Sequence, residues 1–412
     1  MMSKKLGIIL FSIWMLAIVA FVSYKGILPA WQEGPSDFSN YYVSSSLLVQ
    51  GESISDFYNN DWFADKAINV GVDEGAKFAP FPPATAFLYL PLTVLPPLQA
   101  KRIWLVCNLL FIGILVFQLK SISSLSLFEI SLILSLFCIP IASNIRLGQS
   151  YLFFTILLIQ FLKAIKEKKY FLGGGLLGFA SSLKYFPIVY FLYALPKLKK
   201  KILVGLFSSI IVLCSLPILV NGLSTYQAFF AEFWNHLNGN LSGQGQFSYT
   251  FQSIDALLAN LFVYDAELNP NAVSDSPSLK GIIKLIFTAL VLFFSVKAFK
   301  RGTQKTKNLT VAACIVASSL LIPASASYHL LLLFPAIVLV LNFLRKQENS
   351  TMEIGIVLLL TLVSCTILPH HIPELGFSST LNTLIHFPRL YGLIALCSFL
   401  FMIQNRHLQT HG

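Results

Sequence analysis

Charge is what this sequence has least of. Only 11% of its 412 residues are Asp, Glu, Lys or Arg, against roughly 25% in soluble domains. So little charge cannot cover a water-borne globule, which excludes an ordinary soluble enzyme of two or three domains. Cysteine is sparse and scattered. Cys107, Cys138, Cys214, Cys314, Cys365 and Cys397 all lie in apolar runs and none forms a C-x-x-C pair, so neither a zinc site nor a disulfide framework is indicated. They read as small buried hydrophobes. The phosphate-cradling P-loop, the Rossmann glycine fingerprint, H-E-x-x-H and the G-x-S-x-G elbow are all missing, which leaves nucleotide-driven chemistry without support. No repeat of 20–50 residues is evident, and no linker divides the chain.

Apolar runs are what is abundant. Hydrophobic residues make up 56% of the chain, Phe alone numbers 36, and the mean hydropathy is +0.72. Nearly uncharged stretches of 18 or more residues recur, each long enough to cross a bilayer as a helix. The chain therefore reads as an all-α polytopic membrane protein, one integral membrane domain over 1–412. The net charge of +11, from 29 basic and 18 acidic residues, sits in short clusters between the apolar runs. That pattern is topology rather than a nucleic-acid footprint. The clusters at 4–5, 163–169, 197–201, 297–307, 345–346 and 406 mark the cytoplasmic side. Lys4 and Lys5 precede an apolar run at 6–22 with no small-x-small cleavage site, so 1–24 reads as a retained first span with a cytoplasmic N-terminus.

The rest of the chain divides as follows. Residues 25–80 form an outer loop holding eight of the 18 acidic residues. Residues 81–220 carry spans with short or broken helices, 221–279 an outer segment, and 280–405 the C-terminal spans. Pro82, Pro83, Pro91, Pro96 and Pro97 make 81–97 a poor helix and a short or re-entrant element. A full span follows at 103–119, and a hairpin at 125–143 and 150–164. Lys184 and Pro187 divide 173–195 into two half-spans. The total is about 11 to 13 membrane helices.

Candidate site residues cluster in the outer turns. Asp37 stands beyond the first span, just before a helix. Tyr41, Tyr42, Phe57 and Tyr58 suit a segment in the headgroup layer, although eight acids in one loop also serve simple solvation. Lys184 lies near membrane depth, where an unpaired cation costs about 2.5–3.5 kcal/mol; it needs an anion, a wet cavity or a route to the surface, and a snorkelling lysine is the alternative. Arg146 and Gln149 occupy an outer turn. Arginine pairs bidentately with phosphate and a glutamine amide can both donate to and accept from sugar hydroxyls; a plain interfacial turn would also carry them. His329, after Tyr328, starts an apolar helix, a place where interfacial anchors are common. His370 and His371 are adjacent and so diverge, a weak metal signal. Residues 230–252 mix amides and rings (Trp234, His236, Asn238, Asn240, Gln244, Gln246, Gln252), which suits carbohydrate or an ordinary loop. No metal or cofactor is expected.

One order of short motifs runs through these residues: Asp37 to Tyr41, Gly51, Asp56-Phe57-Tyr58, Phe78-Ala-Pro-Phe-Pro-Pro83, Leu90-Pro91, Trp104 with Asn108, Gly148-Gln149, the glycines of 173–178 leading to Lys184 and Pro187, and Tyr328-His329. From about residue 1 to 400 this resembles glycosyltransferase family 87, of the GT-C superfamily. Where that family often has Gly-Gln-x-Asn, this chain has Gly148-Gln149-Ser150-Tyr151. The resemblance implies a GT-C-type helical bundle whose first outer loop bears short interfacial helices. It implies inverting transfer of a hexose such as mannose from a polyprenyl-phosphate sugar to a glycolipid or glycan. That transfer would take place on the outer face, in a bacterial inner membrane. It makes Asp37 the general base. Lys184 and Arg146 then become candidates for the leaving phosphate, His329 a second polar contact, and Gln149, Tyr41 and Tyr328 substrate contacts. Two rivals share the hydropathy. A polysaccharide polymerase or ligase would lean on outer arginines, and 25–80 and 221–279 have none. A lipid-linked sugar flippase or other transporter would show two related halves with matching broken helices, which this chain does not.

Overall fold

The computed structural model describes residues 4–72, 75–193, 199–237, 245–303, 305–348, 350–369, 372 and 378–409. Helices dominate, and no β-sheet occurs among the described residues. Helix α1 (Lys4–Val22) continues through a π-helical turn, Ser23–Ile27, into α2 (Leu28–Gln32). This apolar helix therefore runs 28 residues, Lys5–Gln32, past the expected exit at residue 24. The first loop holds α3 (Phe38–Val49) and α4 (Asn60–Asn69), and short 3-10 turns at Pro83–Phe87 and Leu90–Leu92 follow it. Pro96 and Pro97 then open α5 (Pro97–Ile122), where a missing N–H costs nothing.

Helices α6 (Leu127–Ser135) and α7 (Cys138–Leu147) meet at 71°, so the straight span expected over 125–143 is broken. Pro140 sits in the first turn of α7. Its missing N–H and its ring prevent one helix from running through. Next come α8 (Tyr151–Lys166), α9 (Tyr170–Leu183), a 3-10 stretch Phe186–Tyr193, and α10 (Lys200–Asn221). The segment 221–279 supplies α11 (Ser224–Leu237) and α12 (Ile254–Phe262). The chain ends with α13 (Pro277–Arg301), α14 (Lys307–Ser319), a 3-10 stretch Ser327–Leu333, α15 (Phe334–Leu344), α16 (Thr351–Thr366), α17 (Ser379–Ile385) and α18 (Pro388–Gln409).

Five of the described helices are long and apolar enough to cross a membrane: Lys5–Gln32, Pro97–Ile122, Lys200–Asn221, Pro277–Arg301 and Ser327–Leu344; counting the bent α6–α7 pair as one span makes six. This is fewer than 11 to 13, because other apolar runs are cut into shorter helices such as Tyr170–Leu183 and Thr351–Thr366. Helices α1, α10 and α13 expose Leu16, Val19, Ile211, Leu219, Leu285 and Phe293 among others. Water would not tolerate so large an apolar belt, whereas a bilayer requires it. The chain is an integral membrane protein.

Two cores hold it. The larger one centres on α8, α14, α15 and α18. The smaller belongs to the first loop, where Phe38, Tyr41, Val43, Leu47, Phe57, Phe63 and Phe78 are all buried. Tyr41, Tyr42 and Phe57 were expected in the headgroup layer; instead they pack inward, with Phe57 edge-on to Phe78 and Phe38 edge-on to Tyr89. Each fully buried Phe contributes roughly 1.5–3 kcal/mol, enough together to order the loop on the bundle.

Candidate active site

The chain breaks converge on one cavity of about 500 Å³, with Asp37, Asn40, Gln149, Lys184, Tyr185, His236, Ser327, Tyr328 and His329 on its wall. Asp37 arrives through Ser36, whose φ of 52° is the left-handed region rarely used by serine. Asp37 is the N-cap of α3, yet its carboxylate caps no backbone N–H. It accepts instead from Gln149, Nε2 to Oδ2 at 2.8 Å. Burial pushes this carboxyl above the usual aspartate range, while the Gln149 hydrogen bond and the Lys184 and Lys101 ammoniums hold it down. A poised base needs that compromise between desolvation and support.

Gln149 is fixed by the α7–α8 turn. Gly148 has φ of 67°, and a Cβ there would lie 2.6 Å from the Cβ of Phe38; only glycine allows both the turn and the close approach of α3. Buried Asn144 accepts from the Tyr151 N–H at 3.0 Å and donates to Asn108 Oδ1 at 2.8 Å. Trp104 Nε1 donates to the Gln149 carbonyl at 3.3 Å. The Gln149 side-chain oxygen accepts from the Tyr41 hydroxyl at 2.6 Å and from Lys184 Nζ at 3.4 Å. One amide thus links base, cation and tyrosine.

Lys184 is 6% exposed and stands where α9 ends, in extended backbone. The glycines before it serve packing. A Cβ at Gly178 would lie 2.5 Å from the Leu206 carbonyl oxygen, and Gly174 and Gly205 meet the facing backbone still more closely, so α9 and α10 touch main chain to main chain. Thr85 Oγ1 donates to the Leu183 carbonyl at 2.5 Å, bracing the break from the proline-rich segment. The ammonium lies over the rings of Tyr151 at 4.1 Å, Phe81 at 5.2 Å and Tyr41 at 5.5 Å. Such faces stabilise a desolvated cation by about 2 kcal/mol or more.

His329 packs on Tyr151 at 4.4 Å and on Tyr328 at 4.8 Å. Its Nδ1 accepts from the Ala326 N–H at 3.0 Å, so the neutral ring carries its hydrogen on Nε2 and acts as a donor. Tyr328 lines the cavity beside it.

Residues 78–324 match Glycosyltransferase family 87. The chain belongs to that family. It is a membrane glycosyltransferase. Searches of curated proteins and of solved structures each return no match. The matched region holds Arg146, Gln149 and Lys184; Asp37, Tyr41, Tyr328 and His329 lie outside it.

The family 87 chain brings together Asp37, Gln149, Lys184, Tyr328 and His329, with Tyr41 directly behind Gln149. Arg146 is not with them. It is half exposed and forms a bidentate pair with Glu33, both bonds at 3.0 Å, so its guanidinium is already occupied outside the cavity. His370 and His371, like Asn238, Asn240 and Gln244, fall outside the described residues, and no metal-holding cluster of His, Cys, Asp and Glu occurs among the described ones. Within 230–252 the residues separate: Trp234 is 63% exposed, whereas His236 lines the cavity, its Nε2 3.1 Å from the Tyr185 hydroxyl. Burial and the Lys284 ammonium push His236 down to about 4, so the ring is neutral, and its Nδ1 has no partner among the described residues. Sequence reading missed Tyr185 and Ser327. Their signal was position alone, each next to a residue already singled out.

Proposed function

We propose that this glycosyltransferase moves a hexose, such as mannose, from a polyprenyl-phosphate sugar to a hydroxyl of a glycolipid or glycan, with inversion, on the outer face of a bacterial inner membrane. The observation that carries the reading is the Gln149 amide, which holds a partly buried carboxylate on one side and a buried ammonium on the other. Glycosyl transfer from a lipid phosphate needs that pair. Asp37 takes the proton of the acceptor hydroxyl as its oxygen bonds to the anomeric carbon. The bond from that carbon to the phosphate oxygen breaks, its electrons stay on the phosphate, and Lys184 balances the charge that develops. His329, through Nε2–H, gives a further donor to phosphate or acceptor. Neutral His236 and Tyr185 suit hydroxyl groups of the sugar. The pairing of Arg146 with Glu33 removes it from the phosphate role, and of the two cations first considered Lys184 keeps it.

The outer-face assignment rests on helix polarity. Helices α8 and α15 follow cavity-lining segments and end at Lys163 and Lys166 and at Arg345 and Lys346, while α9 starts beside Lys168 and Lys169 and ends at Lys184. The basic clusters thus lie at the end away from the cavity, which the charge rule puts in the cytoplasm.

The test is Asp37→Asn, purified and assayed with a polyprenyl-phosphate hexose. We expect kcat to fall by about 10²–10⁴ with donor binding retained. Transfer at the wild-type rate would overturn the assignment.

A further inference from the structure

Arg389 is among the largest fully buried side chains in the molecule, at 2% exposure. No carboxylate pairs with it among the described residues. Its guanidinium donates to the Ile367 carbonyl at 2.6 Å, to the Cys365 carbonyl at 3.4 Å and to the Ser327 hydroxyl oxygen at 2.5 Å. A buried cation answered only by neutral oxygens is costly, and among the described residues no carboxylate compensates its charge.

Its framework is stiff. The Arg389 N–H donates to Gln252 Oε1 at 3.2 Å, Gln252 Nε2 donates to the His386 carbonyl at 2.8 Å, and the Gln252 N–H donates to the Ser325 carbonyl at 2.9 Å. The start of α18, the segment before α12 and the turn leading to His329 are thereby tied into one unit. Arg389 itself stands behind the cavity wall; Ser327 is on it.

The hydroxyl between them has a defined polarity. Because Ser327 Oγ accepts from a guanidinium, its own hydrogen is available to donate, and no acceptor for it occurs among the described residues. A hydroxyl that accepts from a cation donates more strongly, since linked hydrogen bonds polarise one another. What it suits is an anionic oxygen in the cavity.

We propose that Ser327, polarised by Arg389, donates a hydrogen bond to the phosphate of the lipid-linked donor, with Arg389 as the positioning residue behind it. This rests on the transfer reading above and adds a second source of positive potential to the cavity besides Lys184. The phosphate then sits between the Lys184 ammonium and the Ser327–His329 turn, and the acceptor is left to the side of Asp37.

The experiment measures binding of undecaprenyl phosphate to the full-length protein in detergent, together with the KM for acceptor. Ser327→Ala is expected to weaken undecaprenyl phosphate binding about tenfold, the value of a hydrogen bond to a charged group, and Ser327→Thr to stay within about twofold of wild type. Acceptor KM stays unchanged, a split that a general loosening of the fold would not produce. If Ser327→Ala does not fold, Ser327→Cys carries the test, because a thiol keeps the shape and donates poorly. Arg389→Lys should also weaken binding, and combining it with Ser327→Ala should add little, since both act through one hydrogen bond. Undiminished binding by Ser327→Ala or Ser327→Cys, or effects that multiply in the double variant, would overturn the proposal. A wild-type protein that does not bind undecaprenyl phosphate would instead overturn the transfer reading itself.

Discussion

Gln149→Leu is the perturbation that asks most of the site. Leucine has a similar bulk and no polar atoms, so the change removes three contacts and little volume. Asp37 loses its donor at 2.8 Å, the Tyr41 hydroxyl its acceptor at 2.6 Å and Lys184 its acceptor at 3.4 Å. Tyr41 is buried, and taking the Gln149 acceptor from its hydroxyl costs about 1–3 kcal/mol of stability. The bond to Asp37 stabilises an ionised group, worth about 1.5–3 kcal/mol, so kcat/KM at neutral pH should fall by roughly ten- to a hundredfold. The direction with pH separates this account from plain damage. Burial already raises the Asp37 carboxyl, and Gln149 is the first of the groups that lower it. Without Gln149 the carboxyl rises further. A general base works only when ionised, so activity is lost as pH falls through its pKa, and the variant should lose it at a higher pH than wild type. The assay is kcat/KM against pH with a polyprenyl-phosphate hexose, both proteins in the same detergent. Activity should recover towards wild type as pH rises. A variant profile of unchanged shape, merely scaled down, would refute the reasoning.

Two further outcomes follow from the geometry. Arg146→Ala should leave donor KM within about twofold and cost no more than about 1 kcal/mol in stability, because Arg146 is spent on an exposed pair with Glu33; a large rise in donor KM would return it to the site. Gly178→Ala should lower thermal stability by about 1–3 kcal/mol or more, since its Cβ would meet the Leu206 carbonyl at 2.5 Å, and should weaken donor binding as α9 carries Lys184 away. Gly113→Ala, with nothing within 4 Å of the new Cβ, is the control and should be neutral or stabilising in unfolding assays.

Much of this was legible because chain breaks have local causes. Five prolines between 82 and 97 announced the irregular stretch now seen as 3-10 turns. Lys184 and Pro187 announced the end of α9. Gly148-Gln149 marked a turn that only glycine can make. What was hidden depends on partners far away in sequence. The Arg146–Glu33 pair joins residues 113 positions apart, and an arginine in an outer turn looks the same whether its partner is a phosphate or a glutamate. The burial of Tyr41 and Phe57 depends on Phe78, Phe81 and Tyr89 folding over them, whereas composition alone suggested an interfacial segment. Arg389 gave no signal, since a basic residue at the start of an apolar helix is ordinarily an interfacial anchor.

Five polar residues of the cavity share one structural property. Asp37 stands at the N-cap position of α3, Gln149 separates α7 from α8, Lys184 ends α9, and Ser327 and His329 belong to the 3-10 stretch before α15. None of these five sits inside a regular α-helix, whereas Asn40 lies in α3 and His236 near the end of α11. In an apolar bundle a charge set in the middle of a helix would face lipid or packed side chains. At a helix end the backbone already has unpaired N–H and C=O groups that must be satisfied, so polar side chains and backbone can satisfy one another. The Ala326 N–H on His329 and the Trp104 indole on the Gln149 carbonyl are such exchanges. A cavity able to hold a phosphate and a sugar within this bundle therefore has to be made from interrupted helices. The prolines and glycines of the motifs contribute by placing the interruptions side by side, and Asp37, Lys184 and His329 occupy the positions those interruptions create.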